Sequence, residues 1–268
     1  MVGSITRDTN VFDGVAQHTY GGTALYAART YTGFGVSVRL ITRLAPADQP
    51  GIAAQLPGVE LVAQPTAETT AFENSYGAAD DRTQRVTAVA APIDYSADYF
   101  ADIDWLHLGP LHPNDLQQGW LDDKRATSTG LDLQGFARRI DGESVSPDID
   151  PRVIDLLPRL TWLKASRGEW QSLQAHLQIS PHERPARGAV ETLVTDGAAG
   201  GILLRTGQRD LRWSAAPPVD GCDPTGAGDV FFAAYLFHRA GQLSDASRAA
   251  TEAARITSNF LLQRRGTP

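Results

Sequence analysis

The sequence contains almost no cysteine, with one such residue in 268. A single cysteine cannot form a disulfide within the chain, so a packed core must hold the fold together. A chain of this length can bury enough apolar surface for one large domain. We therefore expect a single domain over residues 1–268, and the scarcity of cysteine is consistent with a cytoplasmic protein.

The sequence also has no excess of basic residues over acidic residues. Lys and Arg number 24 against 31 Asp and Glu, which gives a formal net charge of −7. Binding to a nucleic-acid backbone needs a basic surface, and the pair Arg264-Arg265 is expected to be a solvated tail. No run approaches 18 apolar residues, and the first residues lack the basic and apolar segments of a signal peptide. Nucleic acids and membranes are therefore not expected as partners.

Several motifs of well-known sites are absent as well. The six histidines form no His-Glu-x-x-His pair and no cluster with cysteine, so a structural zinc site is unsupported. The sequence has no Gly-x-x-x-x-Gly-Lys-Ser/Thr segment, which excludes a P-loop enzyme. No Gly-x-Gly-x-x-Gly segment follows a strand, which leaves a dinucleotide-binding fold unsupported.

The chain is organised around residues 223–235, which read Asp-Pro-Thr-Gly-Ala-Gly-Asp-Val-Phe-Phe-Ala-Ala-Tyr. The first part is small and turn-forming, whereas the apolar residues that follow recur with the 3.6-residue period of a helix. A turn that leads into a helix N-terminus presents unpaired backbone N–H groups and the positive end of the helix dipole. Gly226 and Gly228 let an anion approach this backbone closely. The segment therefore predicts an anion site.

Asp229 lies in the first turn of that helix, where a carboxylate is stabilised in its ionised form. An anion cradle beside an ionised proton acceptor is what phosphoryl transfer to an alcohol requires. The alternative is structural: Asp223 caps the turn and Asp229 is an ordinary first-turn acid. The segment resembles the second signature of the ribokinase-like (PfkB) sugar-kinase family. The resemblance implies that Asp229 is the catalytic base and that the backbone of Gly226, Ala227 and Gly228 forms the anion hole.

Two segments near the N-terminus resemble the same family. Gly-Ser-Ile-Thr-Arg-Asp ends at Asp8, where the family binds substrate hydroxyls. A loop Asp that forms an Asx turn is the alternative. The pair Gly21-Gly22 opens a small-residue helix and resembles the first signature, Gly-Gly-x-x-x-Asn-x-Ala, so both glycines are assigned to the substrate. Tyr26 replaces the Asn of that signature, and we therefore expect a reshaped substrate pocket.

Residues 57–94 interrupt the alternation of strands and helices. Three strand patterns follow one another there without a helix between them, at residues 59–62, 69–76 and 82–89, separated by turns at Pro65 and at residues 77–81. They predict antiparallel hairpins, which we interpret as a small β-sheet lid over the substrate site. Asn74 is expected to contact substrate, unless it is a satisfied strand residue. Family members commonly carry such a lid, which often forms a homodimer.

The stretch Asp132-Leu-Gln134-Gly resembles a segment of the family branch that includes myo-inositol kinases. The resemblance assigns Gln134 to the substrate. Arg138 or Arg139 then lies near the carboxyl end of a strand. An arginine at this place either meets a phosphate or pairs with Asp141.

Ser166 and Glu169 form the pattern Ser-x-x-Glu, which predicts a capping box at a helix start. The family usually shows Asn-x-x-Glu here. The resemblance implies that Glu169 acts indirectly on Mg²⁺ through phosphate and water. Lys164, on the preceding strand, is assigned to the nucleotide.

The last contacts implied by the resemblance concern the donor. Residues 190–201 read as a strand and a tight glycine turn that resemble the Thr-x-Gly-x-x-Gly nucleotide contact of the family. The ATP contacts implied by the family are Thr195, Gly197, Gly200 and Thr225. Asp223 aligns with a position that helps to hold a monovalent cation such as K⁺ in some members.

Strands that alternate with helices predict an α/β fold, and the resemblance specifies it as a ribokinase-like three-layer α/β/α domain with a mostly parallel sheet and the small lid. The expected function is an ATP- and Mg²⁺-dependent kinase that phosphorylates a hydroxyl of a small sugar or polyol, with myo-inositol favoured. One alternative is a nucleoside kinase, in which Tyr26 and Phe72 form a slot for the base. The other is a non-catalytic regulatory protein that binds a nucleotide or sugar.

Overall fold

The computed structural model describes residues 1–12, 15–76, 82–123, 125–126, 128–180, 183–185, 187–215, 219, 223–241 and 245–264. Its strands, in chain order, are β1 (Val2–Gly3), β2 (Thr6–Phe12), β3 (Val15–Gly21), β4 (Val38–Leu44), β5 (Val59–Pro65), β6 (Ala71–Tyr76), β7 (Arg82–Ala88), β8 (Leu106–Gly109), β9 (Thr129–Asp132), β10 (Arg138–Asp141), β11 (Ser144–Pro147), β12 (Trp162–Ser166), β13 (Glu191–Thr195), β14 (Gly201–Arg205) and β15 (Leu211–Trp213). Its α-helices are α1 (Thr23–Gly33), α2 (Gln49–Ala53), α3 (Gln118–Asp122), α4 (Arg152–Leu156), α5 (Arg167–His176), α6 (Ala227–Gly241) and α7 (Ala246–Gln263).

The larger of the two sheets formed by the described strands has the order β15-β14-β13-β12-β9-β8-β1-β4-β5. Neighbours from β13 to β5 are parallel, whereas β14 and β15 join the edge in antiparallel fashion. Adjacent residues of β12 are buried on opposite faces: Trp162 packs with α6 and α7, and Leu163 packs with α4 and α5. Burial on both faces is typical of a parallel sheet that is covered by helices. The predicted three-layer α/β/α architecture is therefore confirmed.

The smaller sheet, the lid sheet, has the order β10-β11-β7-β6-β2-β3. Its neighbours are antiparallel except for β2 and β6, which run parallel. Phe72 and Val86 on its inner face pack against Leu111, which follows β8 of the larger sheet. The lid sheet therefore lies over the carboxyl end of β8, close to the ends of the parallel strands.

The predicted boundaries of the lid need correction. Strand β5 does not belong to the lid sheet, because it pairs in parallel with β4 at the edge of the larger sheet. The short helix α2, which the sequence pattern did not indicate, provides the crossover between β4 and β5. Strands β6 and β7 form the predicted hairpin, and the turn predicted at residues 77–81 lies outside the described residues. The lid sheet also includes β2, β3, β10 and β11, which the prediction missed.

None of the helices in the described part of the chain combines the length and hydropathy needed to cross a bilayer.

Candidate active site

A cavity of about 300 Å³ lies where the parallel strands end, beneath the lid sheet. Ligands of α/β proteins commonly bind at this edge, because the loops that follow parallel strands converge there. Ten residues predicted for the site line the cavity: Asp8, Gly22, Gln134, Lys164, Glu169, Thr195, Thr225, Gly226, Gly228 and Asp229. The structure therefore brings together the predicted acceptor side, donor side and anion loop in one place.

The anion loop, residues 223–229, leads into α6 and is held by its own hydrogen bonds. One carboxylate oxygen of Asp223 accepts from the backbone N–H of Thr225 at 2.9 Å, so Asp223 does cap the turn. The N–H of Ala227 donates to the carbonyl of Pro224 at 3.0 Å. The Ala227 amide is thus used inside the loop. Of the three amides predicted for the anion hole, those of Gly226 and Gly228 have no such partner among the residues that the structure describes.

Gly226 has a conformation and a neighbour that both require glycine. Its φ is +84°, in the left-handed region. A Cβ at this position would lie 2.7 Å from the ring of Tyr26. The aromatic residue that replaces the Asn of the first signature therefore packs directly against the anion loop.

Lys164 and Asp132 form a buried ion pair at the floor of the cavity. The Nζ of Lys164 donates to Oδ2 of Asp132 at 3.0 Å. The side chains are almost inaccessible, with relative exposures of 6% for Lys164 and 0% for Asp132. Burial alone would lower the pKa of Lys164, but the carboxylates of Asp132, Glu169 and Asp229 raise it above its ordinary value. Lys164 thus stays positively charged directly below the anion loop, where a Cβ on Gly228 would lie 3.0 Å from its Nζ.

Asp229 is the carboxylate that faces both the cavity and this charge cluster. Burial, followed by the negative charge of Asp132, raises the pKa of Asp229 to about 7. The positive charge of Lys164 and the nearby Thr23 hydroxyl act in the opposite direction. A carboxylate with a pKa near neutrality can accept a proton and release it again under physiological conditions. Its position on the first turn of α6 therefore suits a general base.

The acceptor side of the cavity is formed around Asp8 on β2. Asp8 is 9% exposed and lines the cavity. Gly21 does not line it, but a Cβ on Gly21 would lie 2.7 Å from Oδ2 of Asp8. Gly21 therefore leaves room for the Asp8 carboxylate, whereas its neighbour Gly22 borders the cavity itself.

Asn74 does not line this cavity, and the alternative reading of a satisfied strand residue holds in the structure. Asn74 is 3% exposed. Its Nδ2 donates to Oδ1 of Asn10 at 2.9 Å, and its Oδ1 accepts from Nε2 of Gln84 at 2.9 Å. Gln84 borders the cavity in its place. The sequence carried a signal for Gln84. Gln84 and the buried Val86 are two positions apart on β7, so their side chains lie on the same face of the strand.

Glu169 has both of the features considered for it. The backbone N–H of Ser166 donates to its carboxylate at 2.7 Å, and its own N–H donates to the Ser166 hydroxyl at 3.3 Å, which completes the predicted capping box. The carboxylate also borders the cavity. Among the described residues, no group of three or more His, Cys, Asp or Glu side chains is arranged to hold a metal alone. A Mg²⁺ ion at Glu169 would therefore depend on phosphate oxygens and water, which this cation accepts readily.

Thr195, the last residue of β13, borders the cavity, whereas Gly197 and Gly200 in the turn that follows do not. Gly200 has a structural reason to be glycine, because a Cβ there would lie 2.1 Å from the carbonyl oxygen of Trp213. A Cβ on Gly197 would meet nothing within 4 Å. The donor contacts expected of these two glycines remain predictions.

The prediction overlooked part of the cavity wall. Besides Gln84, the missed residues include Thr6, Thr23 and Leu111. Phe72 and Arg138, which were considered only as alternatives, also border the cavity, and the Arg138 guanidinium lies 5.9 Å from the centre of the Phe72 ring. Most of these residues come from the lid sheet, Leu111 comes from the loop after β8, and Thr23 is the first residue of α1. Sequence patterns at these places do not show which side chain turns inward.

Comparison with known proteins supports this picture. A family model described as pfkB family carbohydrate kinase matches residues 54–260. A pyrophosphate-dependent kinase in the ribokinase family, complexed with a pyrophosphate analog and myo-inositol, is 23% identical with a TM-score of 0.84, covering 99% of this chain and 95% of its own. Ribokinase of Arabidopsis thaliana, complexed with ribose and ATP, is 18% identical with a TM-score of 0.75, covering 97% and 91%. A Burkholderia thailandensis nucleoside kinase in complex with inosine is 16% identical with a TM-score of 0.72, covering 98% and 91%. These structural likenesses show the fold, and no curated protein sequence matches the chain significantly.

Proposed function

Because the chain belongs to the pfkB family of carbohydrate kinases, we propose that it transfers the terminal phosphoryl group of ATP to a hydroxyl of a small polyol or sugar, with myo-inositol as the first candidate. The enzyme class follows from the family: it is a phosphotransferase with an alcohol group as acceptor. The observation that carries the proposal is the placement of the Asp229 carboxylate in the cavity, beside the Gly226 and Gly228 amides and above the buried Lys164.

The proposed reaction uses these groups in a fixed order. Asp8 and Gln134 hold the acceptor so that one hydroxyl faces Asp229. As the hydroxyl oxygen attacks the terminal phosphorus, its proton passes to the Asp229 carboxylate and the bond from phosphorus to the leaving phosphate oxygen breaks. The amides of Gly226 and Gly228 donate to the oxygens on which negative charge is spread.

Mg²⁺ bound to the donor phosphates would neutralise their charge, and Glu169 is placed to orient it through water. The donor contacts are proposed for Lys164, Thr195 and Thr225 in the cavity, with Gly197 and Gly200 on the turn beyond it. The positive charge of Lys164 would face the transferred group from below the anion loop.

A small polar acceptor fits the cavity walls. The side chains on its acceptor side include Asp8, Gln84, Gln134 and Arg138, which offer hydrogen bonds to several hydroxyl groups at once. Phe72 and Leu111 contribute a limited apolar surface. A structural neighbour that binds myo-inositol supports the choice of a cyclitol as the first acceptor to test.

Pyrophosphate is a second candidate donor. It is supported by the structural neighbour described as pyrophosphate-dependent, whose TM-score of 0.84 exceeds the 0.75 of the neighbour that holds ATP. Both donors present a terminal phosphoryl group in a phosphoanhydride bond to the anion loop, and its transfer releases ADP from ATP or orthophosphate from pyrophosphate. The donor must therefore be identified by direct comparison.

We test the proposal with ³¹P NMR of reactions that contain Mg²⁺, either ATP or pyrophosphate, and pooled cyclitols, sugars or nucleosides. The expected result is a new phosphomonoester resonance that depends on the cyclitol pool and on one of the two donors. A phosphorylated product from the nucleoside pool would identify the acceptor as a nucleoside and contradict the proposal of a polyol or sugar. Donor binding without product from any pool would favour the non-catalytic alternative.

The pH dependence of the reaction follows from the pKa of Asp229. The base must be ionised, so kcat/KM is expected to rise with pH through an apparent pKa near 7 and to level off above it. The measurement is kcat/KM for the acceptor between pH 5.5 and 9 at fixed free Mg²⁺. A profile that is flat across this range, or that falls as the pH rises, would contradict the assignment of Asp229.

Substituting Gly226 by Ala is expected to damage catalysis specifically. The variant must pay for a left-handed conformation, roughly 1–2 kcal/mol, and must also move the loop away from the Tyr26 ring. Gly207→Ala is the matched control, because Gly207 has a similar φ of +70° but nothing within 4 Å of the added Cβ. Both variants should lose stability on urea denaturation, while only Gly226→Ala should lose kcat by about tenfold or more. Equal kcat values for the two variants would show that the Gly226 amide does not contribute to catalysis.

A further inference from the structure

Arg264, immediately after α7, contacts the anion loop but does not line the cavity. One terminal nitrogen of its guanidinium donates to the carbonyl oxygen of Thr225 at 2.6 Å. The other donates to the carboxylate oxygen of Asp223 that does not cap the turn. One side chain, 41 positions away from Asp223 in the sequence, thus holds two acceptors of the loop at once.

The contact with Thr225 fixes the direction of a neighbouring amide. The carbonyl of Thr225 and the N–H of Gly226 belong to the same peptide group. A trans peptide is planar, so its C=O and N–H point in opposite directions. When Arg264 holds the carbonyl on its own side, the Gly226 N–H must point away from Arg264, and Gly226 itself borders the cavity.

The charge of Arg264 also has a local purpose. A carboxylate and a carbonyl oxygen that converge on one point create a negative site that requires a cation. A guanidinium satisfies both acceptors with a planar fork of N–H groups. A spherical ion or an ammonium would bind the same two acceptors with less directional control. In the structure, this positive charge comes from the chain itself.

Aromatic neighbours keep the guanidinium in position. Its central carbon lies 5.3 Å from the ring centre of Phe260 and 6.0 Å from that of Tyr26. The rings of Tyr26 and Phe260 meet edge to face at 6.0 Å. Tyr26 also packs against Gly226. The aromatic residue of α1 therefore supports both the loop and the arginine that holds it.

We infer that Arg264 is a positioning residue that aims the Gly226 amide at the transferred phosphoryl group and supplies the positive charge for which Asp223 would otherwise need a monovalent cation. This inference rests on the proposed function. It places Arg264 outside the set of groups that touch the substrate, since Arg264 contacts the loop and does not line the cavity. It also makes the reaction of the intact protein insensitive to replacement of K⁺ by Na⁺.

The test compares Arg264→Ala and Arg264→Lys with the intact protein. We expect Arg264→Ala to lower kcat by about 10- to 100-fold with less than about a threefold change in the KM of the acceptor, because the loop is misaimed while the acceptor pocket is intact. About 20 mM guanidinium chloride should restore much of the lost kcat, since the ion fits the space vacated by the side chain. Arg264→Lys should fall between the two, because one ammonium cannot reproduce the planar fork. Arg255→Ala, which removes an exposed arginine of α7, is the control and should keep full activity.

Hydrogen exchange of a peptide covering residues 223–235 gives a readout that does not depend on any acceptor. Exchange should be faster in Arg264→Ala and should slow again with guanidinium chloride, at a concentration far below that which unfolds the protein. Unchanged exchange together with wild-type kcat would overturn the inference, as would a loss of kcat that guanidinium chloride does not reverse. If the intact protein phosphorylates no acceptor, the proposed function fails, whereas the exchange result still decides whether Arg264 holds the loop.

Discussion

Replacing Asp229 by Asn is expected to lower kcat by about 10²–10⁴, which corresponds to roughly 3–5 kcal/mol of activation free energy. The amide cannot accept the hydroxyl proton, although it has nearly the same shape as the carboxylate. Steady-state phosphorylation of the best acceptor at pH 8, where Asp229 is ionised, provides the measurement. A folded variant with full activity would return Asp229 to the role of an ordinary first-turn acid.

The same substitution should not destabilise the protein. The pKa of Asp229 is raised in the folded state to about 7, so folding favours its protonated form. The associated stabilisation is fully present below the pKa of the unfolded chain, near 4, and is lost as the pH rises through about 7. At pH 8 the ionised carboxylate therefore costs stability, and Asp229→Asn should melt at or above the temperature of the intact protein. Loss of activity in this variant then reports on chemistry and not on unfolding.

Asp155→Asn is the matched control for this experiment. Asp155 is also an acid in the first turn of a helix, α4, but it is exposed and does not line the cavity. Its replacement should leave kcat unchanged. If the Asp155 and Asp229 variants were equally active, Asp229 would be no more important for the reaction than an ordinary first-turn acid.

Replacing Lys164 by Met should lower the free energy of unfolding by about 3–5 kcal/mol at pH 8, because it leaves the buried Asp132 carboxylate without its cation. Urea denaturation measures this loss. Arg255→Met is the comparison, since it breaks an exposed ion pair with Glu252 and should cost no more than about 1 kcal/mol. Adding Asp132→Asn to the Lys164→Met variant should recover part of the loss, because position 132 then no longer carries a buried charge.

Lys164→Met should also change the pH dependence of the reaction. Lys164 lowers the pKa of Asp229, so its removal raises that pKa further. The rise of kcat/KM with pH should therefore move to a higher pH than in the intact protein. A variant with unchanged stability and an unchanged pH profile would show that the pair with Asp132 neither supports the fold nor tunes the base.

Local sequence patterns were sufficient for the parts of the site that local geometry determines. The turn, helix start and acid at residues 223–229 belong to one continuous segment, so their spacing predicted their arrangement. The capping box of Ser166 and Glu169 followed in the same way from three-residue spacing. Such features need no knowledge of where distant segments pack.

The lid sheet was harder to predict, because strand patterns do not specify strand partners. Residues 59–65 have the pattern of a strand, yet only the crossover through α2 reveals that β5 belongs to the larger sheet. The hairpin of β10 and β11 was missed, although the pair Asp141-Gly142 marks its turn and Gly142 has a φ of +58°. Residues 13–14, between β2 and β3, also read Asp-Gly. Both hairpins contain few apolar residues, and this weakens the alternation of apolar and polar residues by which strands are recognised.

The remaining errors of prediction concern contacts between segments that are distant in the sequence. Asn74 and Gln84 face each other across β6 and β7, and sequence alone did not show which of the two amides reaches the cavity. Arg264 was expected to be solvated, and this expectation is wrong, because its guanidinium bonds the anion loop; Arg265 lies outside the described residues. The expectation that Asp223 holds a monovalent cation stays a prediction, which the inference about Arg264 opposes. The homodimer and the cytoplasmic location also remain predictions.

The central claim is that the hydroxyl proton of the acceptor passes to Asp229 while the phosphoryl group is held at the anion loop. A rapid-quench single-turnover experiment tests it most directly, because it isolates the chemical step from product release. With saturating donor and acceptor at pH 8, phosphorylation by Asp229→Asn should be slower than by the intact protein by about 10²–10⁴. Equal single-turnover rates in the two proteins would contradict the account.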